Sequence, residues 1–436
     1  MNLPDQKQLE ACAKRRHIIL EQLGEDLLVL PSSFLKQKNS DVHFLFRQDS
    51  DFHYLCAFPE PDSLLILDPL SDTQKVTLVV PARDPLKELW DGPRFGCEGA
   101  LEHFQVDQAL PTNKIHSTLP NIFKNRSVIF ARLDHLSPML NEVEDIIKQE
   151  AKTLSTRRIR PFIHDMRLIK DSYELECLRE ANRVASAGHT ELMKKASTYK
   201  NESQLDAEFR YFCAMQGQAD MAYPAIVASG SNATCLHYIV NNRTYQEDEL
   251  ILVDAGSSHN LYAADITRVF PTSGKFTAEG KALYQVTLEI QKKVLAKIST
   301  KLSLMDLNEY ALQESCKALC EMGIIKDSYE VAMKNGTHRK YCPHGIGHHL
   351  GLDVHDCSHS TQNYRNSKKK FNLQPGMVIT IEPGIYIPKD DVDVDPKWRG
   401  IGIRIEDNIH ILNDSYENLT FACPKEIDEI ENLAQR

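Results

Sequence analysis

Apolar residues early in the chain gather in short runs: Leu27–Leu30, Leu64–Leu67, Val76–Val80 and Val128–Ala131. Polar turns and helical patterns separate them. Such runs read as buried strands, so a small mixed α/β domain is expected over residues 1–170. Over Arg157–Ile169 the composition turns basic around Pro161, and Asp171 then opens a long amphipathic stretch. Glu174 stands at the capping-box position behind Asp171, which marks a helix start and puts the domain boundary near Lys170. In residues 171–436 the period predicts helices at about 172–196, 203–217, 278–299 and 305–322, the last stopped by Gly323. Strand patterns fall at 249–254, 261–270, 376–382 and 402–412. The fold class is α/β (α+β), in two domains.

Composition narrows the picture. The 436 residues are 42% hydrophobic, ample for two cores. With a net charge of -10, a strongly basic face for nucleic acid or an anionic membrane is not the default expectation. No apolar run is long enough for a membrane helix. The start, MNLPDQKQLE, has no apolar core and reads as neither a secretory nor a transit segment. Eleven scattered cysteines lack finger-like pairing, and Cys316 with Cys320 reads as a helical pair of buried thiols. A reducing, cytoplasmic setting is the expectation.

Several segments carry chemistry. The apolar run from Glu249 delivers Asp254 at its end, and after a short polar turn the chain resumes through Asp265, a hairpin that brings the two carboxylates side by side. Alternation over Met377–Glu382 puts Val378, Thr380 and Glu382 on one face. From Ile401 to Ile411 every odd position except Asp407 is isoleucine, so Arg404 and Glu406 project together from the other face. Charges on strands patterned for burial need partners, either a metal or each other. In His344-Gly-Ile-Gly-His348-His349-Leu-Gly351, the glycines argue against a zinc helix and for a folded loop presenting imidazoles, His355 included. Four carboxylates with an imidazole suit two hard or borderline divalent ions. There is no G-x-S-x-G, Walker loop or strand-linked G-x-G-x-x-G.

Asp254, Asp265, His348, Glu382 and Glu406, in this order and in these local motifs, resemble the pita-bread metallopeptidases, and most closely bacterial aminopeptidase P, the Xaa-Pro aminopeptidases. The segments Val227–Ala233, His237-Tyr238, Glu382-Pro-Gly and Arg399–Asp407 share the resemblance. It extends to Phe46–Phe52 and Leu89-Trp-Asp-Gly92, and so spans nearly the whole chain.

The resemblance implies a pita-bread catalytic domain over 171–436 and cleavage of the N-terminal residue from peptides whose second residue is proline. It implies two metal ions, usually manganese, with Asp254 on one, His348 and Glu382 on the other, and Asp265 and Glu406 bridging. A bridging hydroxide would attack the scissile carbonyl and Glu382 would relay a proton, while His237 and His355 steady the carbonyl. His344, Arg404 and Tyr386 would shape the proline pocket, and Trp90 would cap a site, that of a neighbouring subunit in a homo-oligomer (dimer or tetramer). The chain departs from the family pattern in a longer loop between His355 and Glu382, containing Lys368–Lys370, and in His53 at a position expected to be a larger aromatic. Prolidase, which cleaves Xaa-Pro dipeptides, is the alternative; a metal-free binding module would need a broken ligand set.

Overall fold

The computed structural model describes residues 3–131, 137–155, 159–358, 370–413 and 415–434. The chain divides into two compact units, Met1–His164 and Asp165–Arg436. Residues 156–158 of the basic stretch, and Lys368 and Lys369 of the lysine run, lie outside the described residues.

The first unit is built on a six-stranded mixed sheet. Its central strand, Leu27–Pro31, is wholly buried. It runs antiparallel to Leu64–Leu67 and parallel to Ser127–Phe130. Val76–Val80, Gln108–Pro111 and Thr153–Ser155 complete the sheet. Alternate residues Leu27 and Val29, and Leu64 and Ile66, share a core with Ile115, Leu119 and Phe123 of one helix and Leu140, Val143 and Ile147 of another. Those helical positions repeat at three- and four-residue intervals, as an inward stripe requires. His53 lies on the short helix Ser50–Cys56 with its ring nitrogen 3.2 Å from Gln8 Nε2.

In the second unit the helix Ser172–Lys195 starts at Asp171 with both capping-box bonds made, 3.0 and 3.1 Å. The other three expected helices form as Glu202–Met215, Ala278–Leu295 and Leu304–Glu321. Ala278–Leu295 stops short of 299 because Lys297 and Ile298 bond to the carbonyls three residues back, tightening its last turn. Leu250–Asp254 lies between antiparallel Thr267–Pro271 and Ile226–Ser229. Asp407–Ile411 lies between Val378–Ile381 and Tyr416–Asn418.

Two of the expected strands are broken, and both breaks lie beside the acids. The pattern at 261–270 splits into Tyr262–Ala263, paired with Ser258–His259, and Thr267–Pro271. Asp265 sits in the link between them, so the residue opposite Asp254 in the ladder is Thr267 rather than Asp265. The pattern at 402–412 splits into Gly402–Arg404, paired with Gly384–Tyr386, and Asp407–Ile411. Pro383, which has no N–H, interrupts the partner strand at the matching point. Among the described residues no helix is long and apolar enough to cross a membrane.

Candidate metal centre

Four acids, three of them buried and Glu382 partly exposed, stand where strand pairing ends. Asp254 closes its strand, Asp265 precedes Thr267, Glu382 follows Val378–Ile381, and Glu406 occupies the gap after Arg404. Released from strict alternation, these side chains converge. Asp254, Asp265, Glu382 and Glu406 line one cavity of about 210 Å³ together with His237, His344, His348, His355 and Arg404.

The backbone around each acid is held by specific side chains. Asn408 Oδ1 accepts from Asp265 N (2.9 Å), and its amide donates to Asp265 O. The buried amide of Gln291 donates to Ile381 O (3.2 Å) and Ile405 O (3.1 Å), the residues just before Glu382 and Glu406. Glu406 N donates to Thr267 O at 3.1 Å, tying the two sheets together. Arg268, fully buried, donates to Glu406 O (2.6 Å) and Asp407 Oδ1 (2.7 Å).

Arg404 and Glu406 face the same cavity, as expected, although the chain changes partner strand between them. Arg404 pairs with Asp254, Nη2 to Oδ2 at 2.6 Å, and donates from Nε to Thr267 Oγ1 at 3.0 Å. Thr267 donates in turn to Glu406 Oε2 at 2.7 Å. Asp254 and Asp265, though out of register, meet at Tyr223, whose Oη lies 2.6 Å from Oδ1 of each. Burial, then the charges of Asp254 and Asp265, hold that phenol well above its usual range. Nothing in the periodicity around Tyr223 singles it out, because its partners are distant in sequence. Thr267 and Gln291 were equally hidden.

The histidine loop is non-helical and lies along strand Val378–Ile381. Leu350 N bonds Val378 O (3.0 Å), Thr380 N bonds His348 O (2.8 Å) and Glu382 N bonds Ile346 O (2.8 Å). The approach needs Gly347, where a Cβ would collide with Thr380 O. His348 Nδ1 lies 3.0 Å from His349 O, which fixes the proton there and turns Nε2 toward Asp265 (3.4 Å) and Glu382 (3.7 Å). His344 Nδ1 lies 2.8 Å from Gly345 O, so its Nε2 is the acceptor for Tyr386 Oη at 2.7 Å. Tyr386 in turn accepts from Arg404 Nη1 at 2.8 Å. Burial, reinforced by Arg404, lowers His344 to about 4, so the ring is neutral. The His355 ring stands 4.3 Å from that of His348, and burial lowers its pKa. Trp90 belongs to the first unit, on the short helix Pro85–Asp91, and is 86% exposed.

This donor set fits divalent cations. Among the described residues Asp265, His348 and Glu406 can each offer one ligand atom, all within 4.8 Å of one another. A ligating imidazole usually gives its other N–H to a carbonyl, as His348 does. The protonation of the acids points the same way. Burial raises Glu382 to about 7 despite His348 and Arg404. Burial, then the charges of Asp265, Glu382 and Asp254, puts Glu406 well above the usual range. Burial also raises Asp254, although Arg404 pulls it down. For His348, burial opposes the charge, but Asp265 and Glu382 outweigh it and lift the imidazole to about 9. Anions crowd here with too few cations.

Metal loading is therefore expected to expel protons. The apparent affinity should climb as pH rises toward about 9, the His348 value, by about one decade per pH unit for each proton displaced. Calorimetric titration in buffers of different ionisation enthalpy measures the protons released. A pH-independent affinity below that value would contradict the coupling.

Comparison with known proteins places these features in a family. Residues 176–413 match the model of metallopeptidase family M24, and residues 12–130 that of the aminopeptidase P N-terminal domain. Xaa-Pro aminopeptidase 3 of Rattus norvegicus is 38% identical over 94% of this chain and 81% of its own length. The Xaa-Pro aminopeptidase of Haemophilus influenzae is 35% identical over 96% of each chain. Among solved structures, aminopeptidase P from E. coli with the inhibitor Pro-Leu superposes with a TM-score of 0.92 at 32% identity, covering 98% of each chain.

Proposed function

The chain belongs to metallopeptidase family M24, among the Xaa-Pro aminopeptidases and with their pita-bread fold, and on that premise we propose that it is a two-metal hydrolase releasing the N-terminal residue from peptides with proline second. The observation that carries this reading is the gathering of Asp254, Asp265, His348, Glu382 and Glu406 in one cavity with His237, His344, His355 and Arg404. The functional domains are 1–170 and 171–436. Asp254 would hold one ion and His348 with Glu382 the other, with Asp265 and Glu406 shared.

Two divalent ions bound there, manganese being the first to test, would supply Lewis acidity and an activated water nucleophile for the scissile carbonyl. The chain's own residues would do the rest. Glu382, at about 7 before metal binding, is suited to accept a proton and pass it to the leaving proline nitrogen. His237 and His355, both on the cavity wall, would donate to the carbonyl oxygen as charge develops there. Neutral His344, with Tyr386 and Arg404 behind it, would form one wall for the proline ring. That hydrogen-bonded run, His344–Tyr386–Arg404–Asp254, holds the wall in one geometry relative to the metal ligands.

Eleven free thiols support a reducing compartment such as the cytoplasm. Exposed Phe44, Leu45, Leu86, Leu89 and Trp90 support a homo-oligomer through the first unit.

The deciding assay compares an Xaa-Pro-Yaa tripeptide with the Xaa-Pro dipeptide in manganese-loaded protein. Preferential release from the tripeptide is expected. Preference for the dipeptide would make the chain a prolidase with the same metal centre. Cleavage of neither would sink the peptidase reading.

A further inference from the structure

Glu202 is a buried carboxylate outside the cavity, with no role in the chemistry above. It follows the N-cap Asn201 and opens the helix Glu202–Met215. Its two oxygens accept five hydrogen bonds. Oε1 accepts from Ser229 N (2.8 Å), Ser229 Oγ (2.7 Å) and Asn232 Nδ2 (3.0 Å). Oε2 accepts from Tyr238 Oη (2.8 Å) and Arg243 N (2.9 Å). The Glu202 N–H donates back to Arg243 O at 3.0 Å.

All of these donors belong to one segment and flank His237 on both sides. Ser229 ends the strand Ile226–Ser229, Asn232 lies in the turn Gly230–Thr234, Tyr238 follows His237, and Arg243 closes the return. Arg243 Nη1 adds a bond across the same neck to Ser229 Oγ at 2.7 Å. Among the described residues none hydrogen-bonds the His237 ring, so its place on the cavity wall depends on the loop that carries it. Because every group facing Glu202 is a donor, the site demands an acceptor-only side chain. An amide would turn N–H toward the Ser229 or Arg243 backbone N–H, which cannot reverse.

We propose that Glu202 is a positioning residue for His237: its carboxylate clamps both legs of the 229–243 loop and so sets the imidazole against the reacting carbonyl. The proposal rests on the reading of His237 given above. It gives a fully buried acid, remote from the metal ligands in sequence and bonded to none of them, a measurable effect on turnover.

The test is a double-mutant cycle in the full-length, manganese-loaded protein on an Xaa-Pro-Yaa tripeptide: Glu202→Gln, His237→Ala and the pair. Glu202→Gln should lower kcat by about 10- to 100-fold, the usual cost of losing a group that orients a functional side chain. Metal content should stay unchanged and KM should change little. In the His237→Ala background the same substitution should cost almost nothing further, because the side chain it positions is gone. A full, undiminished penalty in that background would make Glu202 a general structural residue and overturn the proposal; so would wild-type kcat in Glu202→Gln. His237→Ala alone reports separately on the His237 reading, and unchanged turnover there would remove that reading and the clamp with it. Tyr238→Phe, which removes one of the five bonds, should give a smaller loss that vanishes in the same way. If Glu202→Gln does not fold, this milder cycle makes the decision.

Discussion

Glu406→Gln should lose at least about 10²-fold in kcat, the scale of removing one preorganised electrostatic contact. The argument is chemical. Glu406 is enclosed, and its Oε2 already accepts a bond from Thr267. The amide oxygen of glutamine can keep that bond, so the fold around it should survive. The other terminal atom becomes a donor where a carboxylate oxygen stood, beside Asp265 and His348. One of the four acids of the cavity is lost, and under the proposed reading a position shared by two ions would serve neither. Tripeptide turnover and metal content, measured together, separate lost metal from lost chemistry. Turnover within about tenfold of the unsubstituted protein would discard the shared-ligand role, since a single well-placed contact is worth more than that. Asp265→Asn should behave alike.

Asp356→Asn should destabilise the protein by about 3–5 kcal/mol, the cost of breaking a buried pair from one side. Asp356 follows His355 and is enclosed with two cations: Arg167 Nη2 lies 2.6 Å from Oδ1 and Lys170 Nζ 3.0 Å from Oδ2. The side chains of Asp356, Arg167 and Lys170 are 1%, 3% and 0% exposed, so solvent cannot compensate Lys170 after the change, while Arg167 keeps Asp353 Oδ2 at 2.7 Å. Burial works against the ionised acid, but Lys170 and Arg167 outweigh it and hold its pKa far below the usual carboxylate range. Because the folded value is depressed, the stabilisation is complete above the unfolded value of about 4 and is lost as pH falls below it. The difference between the two proteins in denaturant unfolding should therefore be full at neutral pH and shrink on acidification. A difference under about 1 kcal/mol at neutral pH, typical of an exposed pair, would refute the buried-cluster account.

The candidate site was legible in the sequence to an unusual degree, and the reason is local. Glu249–Asp254 and Met377–Glu382 are apolar runs that end in an acid, and an acid at the end of a buried strand stands out without any tertiary information. His344–His355 stands out because glycines break a helix-like histidine spacing. The expected strands at 261–270 and 402–412 erred at the acids themselves. Periodicity reads a strand's apolar content, but pairing depends on the partner's backbone. Pro383 lies some twenty residues from Glu406 in sequence and yet interrupts the ladder beside it.

By itself, the sequence determined the α/β class, the main helices with the Asp171 cap, the buried strands, and a set of residue types able to hold a divalent metal. These follow from spacing and side-chain chemistry within short windows. Only the tertiary structure decided that Tyr223 joins Asp254 to Asp265, that Thr267 stands between Arg404 and Glu406, that Gln291 ties the segments ahead of two acids, and that Glu202 clamps the loop of His237. Each of these is a hydrogen bond between residues far apart in the chain. A polar side chain's role is set by whatever donor or acceptor the fold brings within about 3 Å of it, and no local pattern encodes that distance.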